Sequence, residues 1–169
     1  MSAKEEFVVH TPEEICGIRK AAAAAATARE RLKQMIFPGM STLQVDELAR
    51  CLISQLGGVS AFLGYKNFPG QICISLNDEV VHGIGATWKI LRSGDLISVD
   101  IGVSIDSFIG DTAASFIVGD ASPLRPDVRM LLEKTHEALM SGIDAAKAGN
   151  RVRDISAAVE KVAKLANLG

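Results

Sequence analysis

One histidine and two aspartates of predicted strands lie within 30 positions of each other in the middle of this chain. His82 follows a pair of valines and precedes Gly83-Ile84-Gly85, while Asp100 and Asp111 each lie in an apolar segment with strand character. Carboxylate and imidazole groups are common ligands of divalent metal ions in proteins. The spacing therefore predicts the beginning of a metal site.

The two aspartates are expected to face each other across a β-hairpin. If strands 96–104 and 108–118 turn about Ile105-Asp106, Asp100 lies directly opposite Asp111, with Cβ atoms about 4.5 to 5.5 Å apart. Two ionised carboxylates at that distance repel each other unless they share a proton or a cation. A one-residue change of register would separate them, and both would then be ordinary strand or turn residues.

The neighbours of the two aspartates are consistent with an ion site. In a strand, alternate residues share a face. The residues that share a face with the two aspartates are small, whereas the opposite face of the first strand carries branched apolar side chains. Small neighbours leave room for an ion. The residues on the aspartate face are Ser98, Gly102, Ser104, Ala113 and Ser115.

His82 is a weaker signal by itself. A histidine after two valines is commonly a hydrogen-bonded packing residue, and the glycines beside it indicate either a turn or backbone close to a ligand. The Gly83-x-Gly85 pattern lacks the third glycine of a dinucleotide-binding loop. His10 and His136 have still less context and are expected to be surface or packing residues.

Helices are predicted to precede the strands. Thr11-Pro12-Glu13-Glu14 combines an N-cap threonine, a proline at the first helical position and a capping-box glutamate, which predicts a helix to about Ile36. A second capping box, Ser41 to Gln44, opens a helix that ends before Gly57-Gly58. The six alanines from position 21 are helix-forming and allow close packing.

Strands are predicted between Phe68 and Val118, and helices return from about Arg125 to Gly149 and from Val152 onward. Shifting the chain by 110 residues against itself aligns Gly39 with Gly149 and superimposes the apolar positions of the second and last helices. An internal repeat and a chance match of two amphipathic helices both explain this alignment.

Composition narrows the class of protein. The chain has 169 residues and a formal net charge of -2 without a basic cluster, which disfavours nucleic acid and anionic lipid as partners. Three widely spaced cysteines, Cys16, Cys51 and Cys73, are typical of reduced thiols. With no apolar segment of spanning length and no signal sequence, we expect a single-domain cytoplasmic protein that is not in the membrane.

Three motifs resemble the type I methionine aminopeptidases of peptidase family M24. They are the segments 65–84, 91–100 and 108–119, which occur in the family's order and with its spacing. The resemblance extends over essentially the whole chain from about Thr11. It implies an α/β (α+β) pita-bread fold, with an antiparallel sheet flanked by helices, and a cytoplasmic hydrolase that removes N-terminal methionine.

The resemblance also implies residue roles. Asp100 and Asp111 would be ligands of two divalent metal ions, with Asp111 touching both, and His82 would hydrogen-bond the substrate amide and the tetrahedral intermediate. The methionine pocket would be walled by Phe62, Tyr65, Phe68 and Cys73. For these four, core packing is the alternative interpretation.

The cofactors and partners follow from the same resemblance. Oxygen-rich ligands favour Mn²⁺, Fe(II) or Co²⁺ over a thiolate-type zinc site, and zinc stays open as a fourth identity. The substrates would be nascent polypeptide N-termini, met at the ribosome.

The chain departs from the family pattern in two ways. The family's further ligands, a histidine and two glutamates, come from a second half, and this chain ends at Gly169 before that half is expected. Metal ligation and the general base are therefore expected to be incomplete. Gly85 also stands where the family usually has proline.

Three interpretations follow from that departure. The chain is a methionine aminopeptidase lacking the C-terminal half of its catalytic domain, or a half-domain that self-associates through an unpaired sheet edge, or a catalytically inactive peptide-binding scaffold. The related Xaa-Pro dipeptidases share the aspartate pair, but segment 77–84 resembles the methionine enzymes.

Overall fold

The protein is described by a computed structural model. Residues 9–120 and 125–168 are described, and they form two compact units, one on each side of the gap. The first unit contains the sheet, two long helices and all of the predicted site residues. The second contains two helices. The expectation of one domain stays a prediction.

Helix α1 (Pro12–Met35) and helix α2 (Thr42–Gln55) begin where their capping boxes predict. Thr11 and Ser41 are the N-caps, and each side-chain oxygen accepts a hydrogen bond from the backbone N–H three residues later. In turn, the side chains of Glu14 and Gln44 accept a hydrogen bond from the N–H group of the N-cap residue. Both helix starts are therefore set by local sequence.

Four antiparallel strands form one sheet. They are β1 (Val59–Ser60), β2 (Cys73–Leu76), β3 (Leu96–Ile105) and β4 (Phe108–Ile117), and β3 pairs with each of the others. A short 3₁₀ helix, Tyr65–Asn67, lies between β1 and β2. The predicted antiparallel sheet with flanking helices is thus confirmed in the first unit, where α1 and α2 contact the sheet.

The hairpin register corrects one prediction. The turn residues are Asp106 and Ser107, both with positive φ, instead of Ile105-Asp106. Positive φ at both central positions is typical of the two-residue turn whose twist matches that of paired strands. Asp100 consequently pairs with Ala113 and Asp111 with Gly102, so the two aspartates are diagonal neighbours. The prediction that they are directly opposite was wrong.

The sheet's other face packs on α1 through small residues. A Cβ atom added at Gly110 would lie 2.2 Å from the Ala22 nitrogen, and one added at Gly17 would lie 2.3 Å from the Phe108 ring. No side chain fits at those distances, so glycine is needed for the approach. Ala21, Ala25 and related small residues on α1 are buried in the same core.

The second unit consists of α3 (Pro126–Ala145) and α4 (Val152–Leu165). Helix α4 begins and ends 110 residues after α2, and α3 ends 110 residues after α1. Gly39 and Gly149 both have positive φ, at 99° and 92°. The predicted offset thus recurs in the backbone. Across residues 9–120 and 125–168, we find no helix both long enough and apolar enough to span a membrane.

Candidate metal centre

Asp100 and Asp111 lie on one face of the β3–β4 hairpin, one residue pair apart along the ladder. Burial, then the charge of Asp111 and a side-chain hydrogen bond with it, raise the pKa of Asp100 to about 6. The pair is therefore held close enough to compete for one positive charge.

The residues beside the pair are those predicted for this face. Ser98 and Ser115 are paired across the hairpin, with their hydroxyl oxygens 2.7 Å apart. Gly102 lies opposite Asp111, and the Phe62 ring packs over it, so a Cβ atom at Gly102 would lie 2.4 Å from that ring. Glycine at this position thus lets an aromatic ring approach the carboxylates.

Cys73 borders the pair from the other side of β3. It is the first residue of β2, its backbone partner is Asp100, and it is buried. Burial, followed by the charges of Asp100, Asp111 and Asp46, raises the pKa of the Cys73 thiol to about 11. The thiol is therefore neutral at physiological pH in the metal-free chain.

His82 has an unusual backbone conformation and acts electrostatically on Asp100. Its φ is 58°, a left-handed value that non-glycine residues seldom adopt. The next residue is fixed on β2: Ile74 N–H donates to the Gly83 carbonyl at 2.8 Å, and Gly83 N–H donates to Ser75 Oγ at 3.1 Å. The electrostatic influence of His82 lowers the pKa of Asp100, against the larger raising effects.

The loop that carries the predicted pocket residues is closed by Ser60. Its hydroxyl donates to the Gln71 carbonyl at 2.6 Å and accepts from the Phe62 and Leu63 N–H groups. The two ends of segment 61–71 are thereby joined, and Phe62 is directed toward Gly102. Ser60 was not predicted, since a lone serine at the end of a short strand gives no distinctive signal.

The aromatic residues of this loop differ in placement. Phe62 and Phe68 are partly buried, and Phe68 lies against Gly70. Tyr65 is 64% exposed, with the Lys66 ammonium 5.4 Å from its ring centroid. The structure thus places Phe62 and Cys73 beside the aspartate-bearing part of β3. The roles of His82 and of all four pocket residues stay predictions.

The donor set suits a hard divalent cation but is small. The two aspartates present the oxygen atoms that Mn²⁺, Fe(II) or Co²⁺ accept, and a cation would relieve the repulsion between their carboxylates. Among residues 9–120 and 125–168, no histidine, cysteine, aspartate or glutamate joins them in a cluster of three or more. The site fits a metal ion chemically, with two side chains to hold it.

A groove of about 360 Å³ lies elsewhere on the first unit, at the far end of β2. None of the predicted site residues lines it. The ion pair between Lys89 and Glu79 and the exposed indole of Trp88 lie along its wall. The lining residues are Leu76, Asn77, Asp78, Glu79, Trp88, Lys89, Ile90, Arg92 and Asp95.

Two buried polar residues on α2 were also missed. Asp46 is 7% exposed and Thr42 is fully buried, and both bind backbone groups of the segments that flank β2. A carboxylate on the apolar face of a helix, next to Val45 and Ala49, is the sequence signal that could have found Asp46. Burial raises the pKa of Asp46, against two backbone hydrogen bonds that lower it.

The comparisons with known proteins agree with this geometry. Residues 16–169 match the family model described as metallopeptidase family M24. The chain belongs to this family. Among M24 relatives, it is 40% identical over 154 residues to methionine aminopeptidase 1 of Bacillus subtilis (strain 168), which covers 91% of this chain and 60% of the relative. The predicted resemblance to the methionine aminopeptidases is confirmed.

Solved structures support the fold. The crystal structure of methionine aminopeptidase from Rickettsia prowazekii superimposes with a TM-score of 0.90 at 30% identity, over 96% of this chain and 64% of that chain. An Xaa-Pro dipeptidase from Bacillus anthracis has a TM-score of 0.79 at 21% identity, over 93% of this chain and 42% of its own, which shows the fold alone. The predicted pita-bread fold is confirmed.

The coverage of the relatives is partial. The chain spans about 60% of the length of the curated relatives it matches. Membership of M24 implies divalent metal ions as cofactors. The identity and number of those ions, and the roles of individual residues, belong to the proposal that follows.

Proposed function

We propose that this chain carries the N-terminal part of a methionine aminopeptidase site that hydrolyses the bond after an N-terminal methionine. The observation that supports the proposal most directly is the diagonal pair of Asp100 and Asp111 on a strand face lined by small residues. The family match provides the substrate class, since the named relatives are methionine aminopeptidases.

Each residue has a proposed role. Asp100 and Asp111 would hold two divalent metal ions, which in such sites supply Lewis-acid activation of water and of the scissile carbonyl. His82 would donate a hydrogen bond to the substrate amide from beside Asp100. The methionine side chain would lie against Phe62, Phe68, Tyr65 and Cys73, since aromatic and sulfur groups make favourable contacts with a thioether.

Metal binding is the first test, because it does not require turnover. Isothermal titration with Mn²⁺ should give micromolar or weaker affinity for the wild-type chain, since two carboxylates enclose an ion incompletely. Asp111→Asn should weaken binding at least tenfold. Asp106→Asn is the matched control, because Asp106 lies in the turn of the same hairpin and pairs with Lys20. Equal affinities for all three proteins would overturn the metal assignment.

Turnover is the second test. Any release of methionine from a Met-Ala-Ser peptide in the presence of Mn²⁺ or Co²⁺ should be abolished by Asp111→Asn and retained in Asp106→Asn. Release that is unchanged in Asp111→Asn would contradict the proposed chemistry. Metal binding without any release would favour the alternative function, a peptide-binding scaffold on the same fold.

We also propose that a second copy of the chain associates through β4. In the described part of the chain, β4 pairs with β3 alone, and its outward residues Ile109, Asp111, Ala113 and Ser115 are exposed. An open strand edge favours pairing with another chain. Sedimentation at tens of micromolar should show a dimer, and a monomer throughout that range would exclude this association. For substrates we propose nascent polypeptide N-termini, met at the ribosome in the cytoplasm.

A further inference from the structure

Two short segments flank β2 and set the edges of the candidate site. Segment 70–72 leads directly into Cys73, and segment 83–90 follows His82. Neither segment is a helix or a regular strand, so each needs other partners for its backbone polar groups. Both find them on the first turns of α2.

Asp46 binds the first segment. Its Oδ1 atom accepts hydrogen bonds from the Gln71 N–H at 2.8 Å and the Ile72 N–H at 3.1 Å. Gly70 lies close enough that an added Cβ atom would be 3.3 Å from the same oxygen. Burying a carboxylate is unfavourable unless it is hydrogen-bonded, so its placement here is explained by the two N–H groups it receives.

Thr42 binds the second segment. Its hydroxyl accepts from the Ala86 N–H at 2.9 Å and donates to the Ala86 carbonyl at 3.2 Å, satisfying both backbone groups of one buried residue. The Thr42 N–H also donates to the Lys89 carbonyl at 2.9 Å. An added Cβ atom at Gly85 would lie 3.0 Å from the Thr42 carbonyl oxygen, so the segment lies directly on the helix.

We propose that Thr42 and Asp46 are positioning residues of the candidate site: Asp46 fixes the approach to Cys73, and Thr42 fixes the segment that follows His82. One helix thereby sets the spacing between the predicted pocket wall and the predicted substrate histidine. The inference rests on the proposed function for the meaning of the site. The hydrogen bonds that carry it do not depend on the metal ligands.

The proposed role of Asp46 is tested by alkylation of Cys73 with iodoacetamide, followed by mass spectrometry. Cys16 and Cys51 are exposed and provide fast internal references, while Cys73 is buried. Asp46→Leu removes the acceptor and should accelerate Cys73 labelling at least tenfold. Asp46→Asn keeps an acceptor oxygen but loses the charge, and should change the rate less than threefold. It therefore controls for the effect of that charge on the thiol.

The proposed role of Thr42 is tested by nuclear magnetic resonance of the histidine rings. Thr42→Val has nearly the same shape without the hydroxyl and should shift and broaden the His82 ring signals, while those of His10 and His136 stay in place. Thr42→Ser restores the hydroxyl and should restore the His82 signals. This variant also keeps the proposal testable if Asp46→Leu does not fold.

A purely structural role is distinguished by a control and by kinetics. Leu32→Ala lowers stability from the α1 core, and the local effects above should exceed those it produces. In the turnover assay, Asp46→Leu should raise KM at least fivefold, and Thr42→Val should lower kcat at least fivefold with KM within twofold. If KM and kcat change together and equally in both, the positioning roles are wrong.

The two proposals fail separately. If the wild-type chain releases no methionine, the proposed function fails, while the alkylation and resonance measurements still decide whether α2 holds the two segments. If Cys73 labelling and His82 signals are unchanged in Asp46→Leu and Thr42→Val, or change no more than in Leu32→Ala, the inference is overturned.

Discussion

The helix pairs α1–α2 and α3–α4 have closely matched backbones and very different surroundings. Helices α2 and α4 both have 14 residues, and after each, the same pattern of backbone bonds recurs: Gly58 N–H to the Ile53 carbonyl, and Leu168 N–H to the Ala163 carbonyl. Yet α2 buries six residues and α4 buries Val162 alone. Local sequence thus repeats a helix without repeating its burial.

The two helix pairs differ in burial because they pack against different elements. The apolar residues of α1 and α2 belong to the core beneath the sheet, whereas α3 and α4 pack on each other and leave large side chains in water. Burial of apolar surface stabilises a fold by about 25 cal/mol per Å², and apolar surface that stays exposed adds nothing to that stabilisation. The apolar residues exposed on α3 and α4 are Met130, Leu131, Leu139, Met140, Ile143, Val152, Val159 and Leu165.

The largest expected difference is between two glycines, Gly110 of β4, which packs against α1, and Gly142 of α3, which packs against α4. Gly110→Ala should lower the free energy of unfolding by more than about 3 kcal/mol, because its Cβ would overlap the α1 backbone at 2.2 Å. Gly142→Ala should stay within about 1 kcal/mol, since its Cβ meets side-chain methyls alone, of Val159 at 3.0 Å and Ile155 at 3.5 Å, and alanine favours helix. Urea unfolding measures both. A tolerated Gly110→Ala would show that α1 does not need this approach.

Leucine truncation is the next test of the comparison. Leu52→Ala should cost about 3 kcal/mol, because Leu52 is buried and its loss leaves a cavity. Leu139→Ala should cost less than about 1 kcal/mol, since Leu139 is 55% exposed. Thermal melts followed by circular dichroism compare them. Equal losses would mean that the α3 surface is covered in solution, contrary to its exposure here.

A pH dependence should be confined to the first unit. Folding raises the pKa of the Asp100 carboxyl group from 3.8 to about 6. The folded metal-free chain therefore binds this proton more tightly than the unfolded chain does, and its stability falls as pH rises from about 4 to about 6. The full shift corresponds to about 3 kcal/mol, and we expect about 1 to 2 kcal/mol because Asp100 is partly solvated.

Asp100→Asn should remove that loss. The variant should be more stable than wild type at pH 7 and nearly equal to it at pH 4, as measured by urea unfolding without metal. Hydrogen exchange should show the change in β3 and β4 and leave α3 and α4 unaffected. A variant that is less stable at pH 7 would contradict the raised pKa.

The smallest expected effects are those of removing a helix cap, and they should be equal in the two helix pairs. Gln44 and Asp154 occupy corresponding positions, and their side chains accept the N-cap N–H bonds at 2.8 and 2.7 Å. Gln44→Ala and Asp154→Ala should each cost about 0.5 to 1 kcal/mol, because capping is local. Unequal costs in thermal melts would show that burial near α2 contributes to its cap.

Much of this fold could be predicted from local signals. The capping boxes at Thr11 and Ser41 gave the helix starts, and alternation gave the aspartate-bearing face of the hairpin. The turn itself was placed one residue early, because Asp106-Ser107 lacks the glycine that usually marks positive φ. Since side chains alternate with a period of two, this error moved Asp111 from opposite to diagonal and left it on the predicted face.

The sequence alone therefore determined the family, the starts of α1 and α2 and the residues that share the candidate metal face, because caps, periodicity and motif spacing are local properties. The predicted end of α3 at Gly149 was wrong, since the helix ends at Ala145. Only the tertiary structure decided the diagonal placement of Asp100 and Asp111, the packing of Phe62 over Gly102, and the support of both flanking segments by Thr42 and Asp46. These features join residues distant in the chain. Their energies depend on burial and on hydrogen bonds formed only after the chain has folded.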